Sequence, residues 1–127
     1  MKKRAPLGHL LLEAMIGGAL FVTAVGGLAG ALIAASKQIG LASYDAQSLM
    51  IARGEVEALL GEPLSSAHWA VGTTGPAAVA GAPGFTLTTT ITSVTEVAGP
   101  VSLTYRQAQV TVTAPAGRSA ALQARRW

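Results

Sequence analysis

Residues 14–36 form an unbroken run without a charged side chain, bounded by Glu13 on one side and Lys37 on the other. At about 1.5 Å per residue the run makes a helix about 34 Å long, which matches a hydrocarbon core about 30 Å thick. The pattern therefore predicts one membrane-spanning helix. Beyond Lys37 the apolar positions recur at spacings of three to five, through Leu41, Tyr44, Leu49, Ala52, Val56, Leu59 and Leu60. Asp45, Gln47, Arg53, Glu55 and Glu57 take the other face, the arrangement of an amphipathic helix. Gly61, Glu62 and Pro63 then stop it. One helix is expected over residues 9–61, its first half suited to lipid and its second half to covering a small domain.

Residues 62–84 collect Pro63, Gly72, Gly75, Pro76, Gly81, Pro83 and Gly84 among Ala and Ser, and are expected to be a connecting loop. The period then changes to two. Phe85, Leu87, Thr89 and Ile91 alternate with Thr86, Thr88, Thr90 and Thr92, which predicts a half-buried strand over residues 85–95. Gly99 and Pro100 mark a turn. Val101, Leu103 and Tyr105 alternate next, but Ala108, Val110, Val112 and Ala114 do so in the opposite parity, which suggests a bulge or break near Arg106 and Gln107. Pro115, Ala116 and Gly117 read as a hairpin turn before a last strand carrying Ala120, Leu122 and Ala124. The head over residues 85–127 is thus a three- or four-stranded antiparallel sheet, and the helix over 41–60 is what can cover its apolar face. The fold class is α+β.

A chain of 127 residues has room for one such domain. Half its residues are hydrophobic and 12% charged, which argues against disorder, and 5% are aromatic, so the core must be built from small aliphatic side chains. The absence of cysteine removes disulfides, thiolate metal sites and thiol nucleophiles. Lys2, Lys3 and Arg4 account for the whole net charge of +3, so the basic balance does not point to nucleic acid. Arg118, Arg125, Arg126 and Trp127 read as a solvated face, and a nucleic-acid partner is not expected. His68 and Trp69 read as ordinary loop packing. His9 and His68 lie on opposite sides of the membrane segment, and no nucleophile–base set, metal cluster or phosphate loop is discernible, so neither an enzyme nor a cofactor or metal site is expected. Residues 37–62 carry a net charge of −2 and residues 85–127 a net +3, patches that could set the register between neighbouring copies.

Two features of the membrane segment carry chemistry. Gly17, Gly18, Gly26, Gly27 and Gly30 lie among many Ala residues, and Gly26 with Gly30 forms a GxxxG pair, the spacing that lets helix backbones approach closely in lipid. Glu13, with Leu10, Leu11 and Leu12 before it, sits at the hydrocarbon edge, where an unpaired carboxylate costs several kcal/mol and calls for a partner or protonation. The basic cluster before the helix places the N-terminus in the cytoplasm by the positive-inside bias.

Taken together, Lys2, Lys3, Arg4, Gly8, Leu10, Leu11, Leu12 and Glu13 resemble the N-terminus of type IV pilin-like proteins. That resemblance implies a prepilin leader over residues 1–8, removed by prepilin peptidase after Gly8, and an N-terminus at His9 of the kind that is methylated in the family. It implies that Glu13, the fifth residue of the mature chain, pairs with the free amine of a neighbouring subunit. It further implies that Gly18, Gly26, Gly27 and Gly30 serve helix packing or local unwinding during assembly, and that other pilins or pseudopilins are the partners. The chain would sit in the inner membrane with a periplasmic head and then enter a type IV pilus or a type II secretion pseudopilus. His9 and Leu10 depart from the Phe or Met and the Thr common at those positions. The short, cysteine-free chain looks more like a minor pilin, or an I-type minor pseudopilin, than a main filament subunit. The competing readings are a small β domain released by signal peptidase before Ser36, and a single-pass membrane protein that keeps its first residues.

Overall fold

The computed structural model describes residues 7–127, with side chains from His9 onward. The basic residues of the expected leader, Lys2, Lys3 and Arg4, lie outside the described residues. The chain divides into two compact units, Met1–Gly40 and Leu41–Trp127. In chain order the elements are helix α1 (Leu7–Gly61), a short 3-10 turn (Ala67–Trp69), and strands β1 (Gly72–Ala78), β2 (Thr86–Ala98), β3 (Val101–Thr113) and β4 (Ser119–Arg126). The architecture is α+β, as the periodicity predicts.

No proline interrupts α1, and its many Leu and Ala residues favour the helix against the cost of its glycines. It ends at Gly61, where the Glu62 amide donates to the Leu59 carbonyl at 3.1 Å and Pro63 follows. In the second unit the face turned to the sheet is largely the one the spacing suggests, through Leu41, Ala52, Val56 and Leu59, with Leu49 and Leu60 as exceptions. Ser48, Ala52 and Leu59 are buried and Leu41, Asp45 and Val56 partly so, whereas Leu49 and Leu60 are exposed. Small side chains at the centre of that face let helix and sheet come close, and packing complementarity decides the face over hydrophobicity alone.

The four strands form one antiparallel sheet in the order β1-β2-β3-β4. Its first strand corrects the sequence reading. Residues 62–84 do not form a loop throughout, because Gly72–Ala78 pairs with Thr86–Ile91. β1 is short, wholly exposed and irregular between Thr74 and Ala77, so neither a run of β-branched residues nor an apolar alternation announces it. Gly75 is required there. It has φ +110, and a Cβ would collide with the Leu87 carbonyl oxygen of the neighbouring strand.

The expected break near Arg106 and Gln107 is also absent. β2 and β3 pair without interruption from Thr86↔Thr113 to Ala98↔Val101, and Gly99 (φ +64) with Pro100 makes the turn. The parity change has another cause. Cross-strand partners share a face, so Ile91 with Ala108 and Leu87 with Val112 point to the helix side, while Val94 with Tyr105 points to the opposite side. β3 stays regular and exchanges the face that carries its apolar side chains. The turn at Pro115–Gly117 forms as expected, with Ala114 donating to the Arg118 carbonyl at 2.7 Å.

The core joins Ala52 and Leu59 of α1 to Phe85, Ile91, Ala108, Val110, Val112, Ala114 and Ala124, with Trp69 closing the end of the helix. Trp69 is fully buried, and its indole Nε1 donates to the Leu59 carbonyl at 2.9 Å, one of the carbonyls that a helix end leaves without an intrahelical partner. Arg106 donates to the Leu64 and Trp69 carbonyls and so ties this segment to β3. Trp69→Phe removes the indole donor and part of the largest buried side chain. It is expected to destabilise the head by about 1–3 kcal/mol, read as a lowered unfolding midpoint of the detergent-solubilised chain.

Candidate functional site

From His9 to Gly40 every residue of α1 is exposed, including Leu10, Leu11, Leu12, Ile16, Phe21, Leu28 and Leu32. The described residues contain one helix long and apolar enough to cross a membrane, and it is the N-terminal one. Such a surface has no place in water, so lipid or other helices must take it up.

Within this segment the structure brings two of the expected site residues together. His9 and Glu13 stand one turn apart on one helix face, with Nδ1 of His9 3.8 Å from a carboxylate oxygen of Glu13. Gly8 lies inside α1, so its bond to His9 is helical. Gly18, Gly26, Gly27 and Gly30 are not brought against anything: a Cβ built on any of them meets no atom within 4 Å.

The head contains two polar clusters that sequence reasoning passes over. The first follows the end of α1. The Glu62 carboxylate accepts from the Ser66 hydroxyl and lies 2.8 Å from Nδ1 of His68, while Ser66 Oγ accepts from the His68 amide and caps the 3-10 turn. The Ser66 hydroxyl bond, with His68 beside it, holds the Glu62 carboxyl below its ordinary value. The sequence signal is Ser66 just before Ala67–Trp69, which suits a cap; Glu62 reads there only as part of a helix stop and of the acidic patch over 37–62. Ser66 donates to the carboxylate and not to the imidazole, so the trio braces a turn and does not make an activated nucleophile.

The second cluster lies on the sheet face away from the helix. Tyr105 is buried there under Trp127, at 4.9 Å between ring centroids, and under the Arg125 guanidinium, 5.3 Å from its ring, and its hydroxyl donates to Glu96 at 2.7 Å. That bond to an anionic acceptor raises the Tyr105 phenol above its ordinary value. The remaining head arginines serve their own chain: Arg118 pairs with Asp45 at 2.8 Å, Arg126 donates to the Leu60 carbonyl, and Arg106 holds the Trp69 segment. Arg106, Arg118 and Arg126 thus make contacts within the head, and Arg125 alone of the four faces away from the core side of the sheet.

An open groove of about 530 Å³ runs between α1 and the residues joining β1 to β2, lined by Tyr44, Met50, Ile51, Ala82, Pro83 and Phe85. It carries no charged side chain. Among the described residues no group of three or more His, Cys, Asp or Glu side chains could hold a metal ion.

Compared with known protein families, with curated proteins and with solved structures, the chain matches none.

A carboxylate held below its ordinary value contributes stability above its unfolded pKa, and that contribution is lost as pH falls through the folded one. Acid is therefore expected to loosen the segment that carries Trp69. Glu62→Gln should melt lower than wild type at neutral pH and approach it below the ordinary carboxylate range, in melts followed by Trp fluorescence across pH.

Proposed function

We propose that this chain is a structural subunit of a type IV pilin-like assembly, a minor pilin or minor pseudopilin, which is cleaved after Gly8 and joins its partners through α1. One observation carries the reading. Glu13 is the single charged side chain of residues 10–36, and it sits one turn from His9 at the start of an exposed apolar helix. A carboxylate so placed costs several kcal/mol in lipid unless a cation meets it. The amine of a neighbour's first residue is such a cation, and it exists only after the bond between Gly8 and His9 is cut.

Three further features support the reading. The glycines of this segment meet no atom of the described residues and suit close approach of other helices in lipid. The head is small, and its own core is satisfied by the second part of α1. Its polar clusters brace turns and the sheet and present no arrangement for chemistry, which favours a subunit over an enzyme. In this reading the peptidase and the other subunits are the partners, the N-terminus starts in the cytoplasm, and the head lies across the inner membrane.

Replacing Gly8 by Leu should leave the leader attached, so that N-terminal sequencing returns Met1 where the wild type returns His9; His9 in both would show a cut that ignores Gly8 and would refute the family reading. Glu13→Gln keeps the shape and removes the charge. It is expected to be cleaved and inserted as the wild type and yet to crosslink to partner subunits several-fold less. Wild-type crosslinking by that variant would refute the role of Glu13.

A further inference from the structure

The two groups at the start of α1 are placed to act on one another before any partner arrives. Side chains four apart on a helix are neighbours, and His9 and Glu13 realise this with 3.8 Å between Nδ1 and the carboxylate. That distance is an electrostatic contact, and a small rotation about the side-chain bonds closes it to a hydrogen bond. Among the described residues His9 is the only base within 4 Å of Glu13. Both side chains are exposed, so both remain open to a second molecule.

We propose that His9 is the intramolecular counter-group of Glu13, holding its carboxylate in the single chain until the cation of a neighbouring copy or partner displaces it. The inference rests on the reading in the preceding subsection and adds a positioning residue to it. An imidazole serves this purpose in either protonation state, since its N–H donates when neutral and it forms an ion pair when charged. A lone carboxylate in the hydrocarbon edge would drive the chain to any available cation. With His9 in place the carboxylate is partly met within its own helix, so the single chain is tolerated in the membrane and association requires an exchange of partners. His9 therefore weakens association, and it does so through Glu13 alone.

The test uses the full chain in its own membrane, with a cysteine introduced at Ala19 in an otherwise cysteine-free sequence to report helix association by crosslinking. His9→Phe removes the donor and keeps a ring. It is expected to raise the crosslinking yield by about 1.5- to twofold, the factor an i,i+4 pair carries in water. His9→Asn restores a donor close to the position of Nδ1 and should return the yield to the wild-type level. In the Glu13→Gln background, His9→Phe should change nothing.

N-terminal sequencing of the same samples separates the two ideas. A start at residue 9 with equal yields for wild type and His9→Phe overturns this inference and leaves the family reading standing. A start at Met1 in every sample overturns the family reading, and the inference with it. A rise in yield that persists in the Glu13→Gln background also overturns it, because His9 would then act through another group.

Discussion

The sheet cannot stand without the helix that precedes it. Its inner face presents Ile91, Ala108, Val110, Val112 and Ala124, and a four-stranded sheet with one bare apolar face is not stable in water. α1 supplies the cover with side chains that are themselves small, Ser48 and Ala52 at the centre and Leu59 at the end. Because the area buried per residue is low, fit must make up for bulk, and this explains why one large side chain, Trp69, is placed where helix and sheet diverge. The Leu59 carbonyl, Arg106 and the Glu62–Ser66–His68 brace all converge on keeping it there. Among the described residues Ser48 Oγ is the buried side-chain polar atom left without a hydrogen-bond partner, a cost accepted for closeness of approach.

The first part of α1 obeys a different rule. In the head, every small residue on the packed face touches something. Between residues 14 and 36 every residue is exposed, and a Cβ built on any of the glycines there meets no atom of the described residues within 4 Å. One secondary-structure element thus contains two solutions to burial, one met within the chain and one that only lipid or other chains can meet. Glu13 marks where the second begins.

Much of this is legible in the sequence because it depends on period. The charge-free run, the end of the helix at Gly61, the alternation through β2 and the turns at Gly99–Pro100 and Pro115–Gly117 all follow from residue types whose local preferences agree with the fold. What is not legible depends on packing or on long-range pairing. β1 has no hydrophobic signal, because an exposed edge strand buries neither face, and its Gly and Pro residues read as loop. Two positions of the α1 face escape the sequence, because Leu49 and Leu60 are more hydrophobic than Ser48, and size decides against them. The parity change in β3 was legible, but its meaning needed Trp127 and Arg125, which come from another strand to shelter Tyr105 on the far face. At the candidate site, Gly8, His9 and Glu13 were read from order along the chain, and the contact between His9 and Glu13 follows from their spacing on a helix.

The irregular edge of β1 bears on how such chains can be crowded together. Wherever copies of a chain are held at high lateral density, open strand edges can zip from one molecule to the next and drive precipitation. Pro76 has no amide hydrogen to offer along that edge, and the irregularity at Gly75 breaks the spacing of the groups on either side. A neighbour that approached this flank would find no continuous ladder to extend. The sequence that looks least structured is thus the part of the head that denies a second copy a strand edge to pair with.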